Sequence, residues 1–224
     1  MADGTPPGTG EGAGGSAVER IVSARRLLQF AREPVPGRVK TRMQPVLDAA
    51  GACELHSALL THTARQLATV DCCERELWVA GDPSHPVLAH AAALGGAAVR
   101  RQQGADLGER MLHALATALA DSPRVVLVGS DCPGLDDAYV EAAFAALATA
   151  DVVLGPALDG GYVLIGVRRV DALLFRGVDW STSKVLAQTL ARVDALGWRA
   201  ALLEPRRDID RPEDLAAWQQ ASGD

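Results

Sequence analysis

Short apolar runs alternate along the chain with longer stretches rich in alanine and leucine. The short runs have the length of strands, and the longer stretches have the apolar spacing of helices. This pattern predicts strands at residues 27–31, 76–80, 97–101, 125–129, 152–155, 162–167 and 200–203. It predicts helices at residues 45–68, 85–94, 107–120, 136–149, 181–196 and 212–220. Such alternation is typical of an α/β fold with a mainly parallel central sheet and helices on both faces.

The run VVLV at 125–128 is the clearest strand, because continuous apolar residues suit a strand that is covered on both faces. Gly129, Ser130 and Asp131 follow it. Ligands of open α/β sheets bind beyond the carboxyl ends of strands, so Asp131 is expected at a binding site. A carboxylate before a proline-stiffened turn suits Mg²⁺ or Mn²⁺, which take oxygen ligands. Capping of the helix predicted from Asp136 is the alternative, but the gap is too long for a direct contact.

Composition and charge narrow the class of protein. The formal charge of −6 argues against a nucleic-acid or anionic-membrane partner, since both require a basic surface. No apolar run is long enough to span a membrane and no signal peptide is recognisable, so we expect a cytoplasmic location. Residues 1–22 are rich in Gly, Pro, Ala and Ser and are expected to form a disordered tail. Residues 23–224 are expected to form a single domain.

The cysteines and histidines form no recognisable motif. No CxxC pair is present, which indicates reduced thiols rather than a zinc site or a disulfide framework. The histidines lack the spacing of zinc proteases, so none is assigned a catalytic role and most are expected on exposed helix faces. The segment WSTSK at 180–184 is interpreted as an ordinary helix start, with the lining of a pocket as the alternative.

A basic loop follows the first predicted strand, and two prolines and a glycine make it irregular. Arginine offers phosphate a bidentate fork, and lysine offers it a mobile charge. The loop is therefore predicted to bind pyrophosphate, although a solvated basic loop is the alternative. It matches neither a Walker A loop nor a GxGxxG fingerprint. Its cations are Arg32, Arg38, Lys40 and Arg42.

A glycine-bracketed segment precedes the third predicted helix. Gly104 and Gly108 enclose Asp106, a plausible N-cap, and capping alone accounts for that aspartate. Gln103 is a candidate for reading a base edge, because its amide both donates and accepts hydrogen bonds.

Two acidic segments in the second half add further candidates. Asp159, Gly160, Gly161 and Tyr162 form a stretch in which glycines allow a ligand to approach the backbone, although a plain hairpin turn is equally compatible. Asp208 and Asp210 are alternate residues of an extended segment, so their side chains project to one face. Two carboxylates on one face repel each other unless a cation joins them, which favours ion binding.

Several segments resemble the DUF2064 family, described as arsenosugar-biosynthesis-type glycosyltransferases of the GT-A superfamily. They are FAREPVPGRVKTRM, QGADLGERM, VGSDCPGL, DGGYVLIGV and DIDRPEDL, in this order. The resemblance covers about residues 27–218 and implies a three-layer GT-A-like fold, a nucleotide substrate and a divalent metal. The layout is also similar to MobA-like nucleotidylyltransferases. Through that similarity, Asp131 corresponds to the first metal-binding aspartate and Asp210 to the second, although Ser-Asp-Cys replaces the DxD motif.

The leading hypothesis from the sequence is a metal-dependent glycosyltransferase that uses a nucleoside-diphosphate sugar and a small-molecule acceptor. The base would lie near Gln103, and the diphosphate would contact Arg38, Lys40 and a metal ion held by Asp131 and Asp210. The metal would neutralise charge on the leaving diphosphate.

Two alternatives are kept. In a nucleotidylyltransferase, an acceptor phosphate attacks the α-phosphorus of a nucleoside triphosphate (NTP), and Arg38, Lys40 and Arg42 hold the leaving pyrophosphate. A non-catalytic nucleotide-binding protein is the second alternative, and the intact carboxylates argue against it. Lys40 and Asp131 are catalytic candidates in either enzyme, and Asp159 is the candidate general base.

Overall fold

The computed structural model describes Met1, residues 24–71 and residues 74–222. The rest of the predicted tail, Cys72 and Cys73 lie outside the described residues, and the division into tail and domain stays a prediction. The strands are β1 (Arg26–Arg32), β2 (Glu74–Ala80), β3 (Ala98–Arg101), β4 (Val125–Val128), β5 (Val152–Pro156), β6 (Tyr162–Val167) and β7 (Ala200–Leu202). The α-helices are α1 (Ala49–Ala68), α2 (Pro86–Gly95), α3 (Leu107–Leu119), α4 (Asp137–Ala146), α5 (Val185–Ala195) and α6 (Leu215–Ser222). Short 3₁₀ helices cover Thr41–Met43, Ala172–Leu174 and Pro212–Asp214.

In the described part of the chain, the strands form one seven-stranded sheet in the order β3-β2-β1-β4-β6-β5-β7. Neighbouring strands pair in parallel except around β6, which is antiparallel to both β4 and β5. The connection over residues 157–161 is too short for a parallel crossover, so β5 and β6 form a hairpin. The predicted α/β fold with a mainly parallel sheet is confirmed.

Apolar side chains cover both faces of the sheet. In β1, Leu27 packs in the core that contains the α4 residues, whereas Leu28 packs in the core that contains the α3 residues. This alternation follows from the two-residue period of a strand. Leu60 of α1 and Leu88 of α2 cover the sheet near β1 and β2. The helices therefore leave the carboxyl ends of β1 and β4 as the accessible edge.

Three predicted helices begin three or four residues later than expected. The helix predicted from residue 45 begins at Ala49, because Asp48 caps it by accepting a 2.7 Å hydrogen bond from the Gly51 N–H. The helix predicted from Ser181 begins at Val185, because Ser181 has a φ of 65° that a right-handed helix cannot contain. The segment predicted as a helix from residue 212 begins with a 3₁₀ turn and continues as α6. Within residues 24–71 and 74–222, no helix combines the length and the apolar character needed to cross a membrane.

Replacement of Phe144 tests the core between α4 and the sheet. The side chain is 1% exposed, and Phe144→Ala should lower the free energy of unfolding by about 3–5 kcal/mol because a cavity remains. Urea denaturation measures the loss. Phe144→Leu should cost less because it keeps more of the volume, and Val46→Ala, at a side chain that is 55% exposed, should change stability by about 0.5 kcal/mol or less. Equal losses for Phe144→Ala and Val46→Ala would contradict this core.

Candidate functional site

A cleft of about 610 Å³ opens at the carboxyl ends of β1 and β4. It brings together the basic loop that follows β1 and carboxylates from segments far apart in the sequence. The charged residues singled out from the sequence that line it are Arg32, Arg38, Lys40, Arg42, Asp131, Asp159, Asp208 and Asp210. Concave sites of this size with converging polar groups are the usual places for small substrates, so the cleft is the candidate active site.

Lys40 joins the basic loop to two other segments. Its ammonium lies 2.8 Å from Asp131 Oδ1 and donates a hydrogen bond to the backbone oxygen of Ile209. The Lys40 side chain is only 3% exposed, and its backbone is left-handed, with a φ of 48°. Such a backbone costs a non-glycine residue about 1–3 kcal/mol and persists only where its surroundings impose it. Lys40 is therefore held in place rather than mobile in solvent.

Buried hydrogen bonds fix the loop that carries Asp131. The Ser130 hydroxyl donates to the backbone oxygen of Phe30 at 2.7 Å and accepts from the side-chain amide of Gln29 at 3.0 Å. The same amide also donates to the backbone oxygen of Leu60 in α1. These bonds tie the ends of β1 and β4 together, so the position of Asp131 is determined by the sheet.

His56 of α1 approaches Asp131 from the other side. Its Nδ1 lies 3.8 Å from Asp131 Oδ1, and its Nε2 lies 3.0 Å from the backbone oxygen of Arg32. Burial of the Asp131 carboxyl opposes ionisation, but the charge of Lys40 and the contact with His56 outweigh it and lower the pKa of Asp131 below its ordinary value. Asp131 is therefore an ionised carboxylate at neutral pH.

The extended segment over residues 208–210 lies beside Asp131. The Ile209 N–H donates to the Asp131 backbone oxygen at 2.8 Å, and the Ile209 side chain is fully buried under α1. Asp208 and Asp210, on either side of it, line the cleft. The buried Asp214 carboxylate accepts hydrogen bonds from the backbone N–H groups of Asp210 and Arg211, which fixes the end of the segment.

The carboxylates of the cleft offer the type of ligand atom that suits a divalent cation, because Mg²⁺ and Mn²⁺ prefer oxygen ligands. Burial and then the charges of Asp159 and Asp210 raise the pKa of Asp208 to about 6, because each of them disfavours the ionised form of its carboxyl group. Lys40 is paired with Asp131, and an Arg42 guanidinium nitrogen lies 2.5 Å from Asp210 Oδ2. In the described part of the chain, no three His, Cys, Asp or Glu side chains converge on one point. The predicted metal pair of Asp131 and Asp210 therefore stays a prediction.

Gly108, from the glycine-bracketed segment at the start of α3, and Gly160, a predicted ligand-approach glycine, each lie against a neighbouring part of the chain. A Cβ at Gly108 would lie 2.8 Å from the Trp180 ring, and a Cβ at Gly160 would collide with the Ser183 backbone. Trp180, Ser181 and Thr182 line the cleft, and Ser181 is held in a left-handed conformation. Gly161 and Tyr162 also line the cleft. Gly108 and Gly160 thus position the wall of the cleft that residues 180–182 form.

The segment before α3 is arranged differently from the sequence interpretation. Gln103 is exposed and does not line the cleft, whereas its neighbour Gln102 does. Gly104 has a φ of 138° and accepts a hydrogen bond from Arg110 through its backbone oxygen. Asp106 caps α3, accepting a 2.8 Å hydrogen bond from the Glu109 N–H.

Sequence reasoning missed several residues of the cleft. The expectation that histidines lie on exposed helix faces is wrong for His56, which is 5% exposed. His56 falls in the apolar stripe of α1 with Ala52, Leu59 and Leu60, and this helical spacing was the available signal. Trp180 was interpreted as part of an ordinary helix start with pocket lining as the alternative, and the structure places it in the cleft lining.

A family model described as "Uncharacterized protein conserved in bacteria (DUF2064)" matches residues 63–182, more than half of the chain. The chain belongs to the DUF2064 family. The match confirms the resemblance carried by the conspicuous sequence segments.

Relatives of this DUF2064 protein are transferases. A 3-phospho-D-glycerate guanylyltransferase from Phenylobacterium zucineum (strain HLK1) is 33% identical over 186 residues, which cover 78% of this chain and 81% of the relative. A solved structure from Desulfovibrio desulfuricans G20, assigned as a nucleotide-diphospho-sugar transferase, is 32% identical with a TM-score of 0.76. That match covers 84% of this chain and 83% of the other. The predicted enzyme class, a transferase, is confirmed.

A more distant structure supports the fold alone. CMP:2-keto-3-deoxy-manno-octonic acid synthetase complexed with CTP is 14% identical, with a TM-score of 0.57. The match covers 90% of the DUF2064 chain and 99% of the synthetase. Together with the closer structure, it confirms the GT-A-like architecture.

Substitution of Gly160 tests the wall of residues 180–182. Gly160→Ala combines an unfavourable φ of 92° with a collision against Ser183, whereas Gly197→Ala has a φ of 64° and open space around it. Gly160→Ala should therefore lose more thermal stability than Gly197→Ala, and it alone should weaken ligand binding in the cleft. Thermal unfolding with and without bound nucleotide measures both effects. Indistinguishable behaviour of the two variants would contradict the close packing.

Proposed function

We propose that this DUF2064 protein is a nucleotidylyltransferase that transfers a guanylyl group from GTP to a small phosphorylated acid. A phosphate oxygen of the acceptor attacks the α-phosphorus of GTP, a new P–O–P linkage forms, and the bond to the β-phosphate breaks. Pyrophosphate leaves. The proposal follows the alternative that the sequence left open rather than its leading glycosyltransferase hypothesis.

The observation that carries the proposal is the surplus of cations on the basic loop. Lys40 is engaged with Asp131 and Arg42 with Asp210, but Arg32 and Arg38 have no carboxylate within ion-pair distance among the described residues. Both line the cleft. Guanidinium groups bind phosphate oxygens bidentately, and a leaving pyrophosphate offers more of these oxygens than a nucleotide-sugar diphosphate. A loop with this many cations suits a triphosphate.

The named relative supplies the second support. It is a 3-phospho-D-glycerate guanylyltransferase and matches most of the chain. This is why GTP and a phosphorylated acid are the substrates to test first. An acceptor phosphate has a second pKa near 6 and is largely ionised at neutral pH, so the attacking oxygen needs no general base. Asp159, the candidate base from the sequence, would then orient the acceptor rather than remove a proton.

Asp131 and Asp210 would hold the divalent cation, with Asp208 next to them. Mg²⁺ bound there would neutralise charge on the phosphates and favour departure of pyrophosphate. The chain's own contribution is positional: Lys40 and Arg42 already lie against the carboxylates, so phosphates that enter the cleft meet cations that are fixed in advance. Preorganised groups of this kind stabilise developing charge without having to rearrange.

Glycosyl transfer is the second candidate, and the Desulfovibrio structure assigned as a nucleotide-diphospho-sugar transferase favours it. In that reaction the leaving group is a nucleoside diphosphate, and no pyrophosphate forms. The released product therefore distinguishes the two candidates.

Pyrophosphate release tests the proposed reaction. GTP, Mg²⁺ and 3-phospho-D-glycerate should yield pyrophosphate, and nucleotide sugars with the same acceptor should yield no nucleoside diphosphate. Separate reactions with CTP, ATP and UTP, and with sugar phosphates as acceptors, measure the specificity for the nucleotide and for the acceptor. Release of nucleoside diphosphate from a nucleotide sugar, with no pyrophosphate from any NTP, would overturn the proposal in favour of glycosyl transfer.

Lys40→Ala should reduce pyrophosphate release by at least about a hundredfold, because charge-assisted contacts contribute about 1.5–3 kcal/mol each and Lys40 anchors the loop as well. The matched control is Lys184→Ala, at a side chain that is 70% exposed and outside the cleft lining. It should keep full activity. Wild-type turnover in Lys40→Ala would show that the buried ammonium has no part in the reaction.

Asp131→Asn tests the carboxylate at the end of β4. Turnover should fall by at least about a hundredfold, and the free energy of unfolding should fall by about 1–2 kcal/mol because the Lys40 ammonium loses its anion. Steady-state kinetics and urea denaturation measure the two effects. Asp179→Asn, on an exposed side chain outside the cleft lining, should alter neither. Full activity in Asp131→Asn would exclude a catalytic role for this residue.

A further inference from the structure

Gln102 lies at the end of the cleft where strands β2 and β3 terminate. Its backbone N–H donates to the Val79 oxygen at 2.9 Å, which continues the pairing of β2 and β3 by one residue. Its side-chain Nε2 donates to the backbone oxygens of Ala31 at 3.2 Å and Trp78 at 2.9 Å. The half-buried side chain also lines the cleft. The side-chain amide therefore connects the strand ends, in a residue that lines the candidate active site.

The two hydrogen bonds determine which way the amide points. Both partners of Nε2 are carbonyl oxygens, so a flipped amide would bring Oε1 against two acceptors and is excluded. Both Nε2 hydrogens are used by these bonds. The only hydrogen-bonding capacity that the Gln102 side chain can offer a ligand is the lone pairs of Oε1. Gln102 is thus a fixed acceptor, unlike a free glutamine that can both donate and accept.

The position of Gln102 relative to the charged groups indicates which part of a nucleotide reaches it. The cations of the basic loop follow β1, and the carboxylates follow β4 or come from residues 159–210, whereas Gln102 follows β3, and Ala80 at the end of β2 lies beside it in the cleft. Leu107 and Met111 of α3 add apolar surface to the lining, and Arg110 of the same helix, which also lines the cleft, donates from Nε to the backbone oxygen of Gly104. Phosphates bound by the basic loop leave the end of the cleft near Gln102 for the base.

We propose that Gln102 selects guanine by accepting a hydrogen bond from its N1–H and N2–H edge, a role that rests on the proposed nucleotidyl transfer. Adenine in the same pose would present the N1 lone pair and a C–H group to Oε1, which places acceptor against acceptor. A site built around one hydrogen bond rejects analogues that lack the matching group, because its polar atom is then left unpaired. The determinant is Gln102 and not its exposed neighbour Gln103.

Affinities for GTP and ATP, measured calorimetrically with Mg²⁺ and no acceptor, test this assignment. Wild-type protein should bind GTP at least about tenfold more tightly than ATP. Gln102→Met, which keeps the length of the side chain and removes its polar atoms, should reduce that preference to about twofold or less. Gln103→Met is the matched control and should keep the wild-type preference. Circular dichroism and thermal unfolding check that each variant is folded.

The outcomes distinguish recognition of the base by Gln102 from a purely structural role of this residue. If Gln102→Met weakens GTP and ATP binding equally, the residue only holds the strand ends together, and the inference fails. Loss of the preference in Gln103→Met instead would also overturn it. Equal wild-type affinity for GTP and ATP would overturn the guanine assignment while leaving nucleotidyl transfer in place. Absence of any NTP binding would refute the proposed function itself. If Gln102→Met does not fold, Gln102→Asn, which withdraws the amide by one methylene, replaces it in the same comparison.

Discussion

The contact between the Lys40 ammonium and the Asp131 carboxylate is the interaction on which the cleft depends. Lys40 belongs to the loop after β1, Asp131 to the loop after β4, and the second partner of the ammonium is the backbone oxygen of Ile209. A buried charge without a partner is expensive, so these segments are stabilised together or not at all. The left-handed backbone of Lys40 is energetically unfavourable, and the stabilisation from this contact offsets that cost.

Around that contact, the cleft contains a near balance of opposite charges. Asp131 and Asp210 each have a cation from the basic loop, and a triphosphate with its metal ion would bring a second set of partners of both signs. Binding would then exchange one set of ion pairs for another instead of burying unpaired charge. For Lys40 the desolvation cost of binding is low, because its side chain is only 3% exposed before the substrate arrives.

Much of the fold follows from the sequence, since apolar runs and helix caps are local signals. The strand that ends before Asp131 follows from its continuous apolar run, and the alternate spacing of Asp208 and Asp210 was the signal for placing both at one site, where both line the cleft. The contact of Lys40 with Asp131 and Ile209 does not follow from local sequence, because only the folded sheet brings these residues together. Gly160 illustrates the same limit: its sequence context is compatible with close approach by a ligand or with a plain turn, and the structure is needed to show that the Ser183 backbone lies against it. The packing of Trp180 against Gly108 likewise has no local signal in the sequence.

The packing of residues 180–183 against those two glycines has a consequence for how this protein could diversify. The backbone of the wall is fixed by Gly108 on α3 and Gly160 before β6, while Ser181 and Thr182 remain exposed toward the cleft. Replacements at 181 are restricted by its φ of 65°, which suits Gly, Asn and Asp better than β-branched residues, and the Thr182 hydroxyl donates to the backbone oxygen of Asp179 at 2.7 Å. Variants that respect these two constraints and retain both glycines would change the cleft lining on an unchanged scaffold.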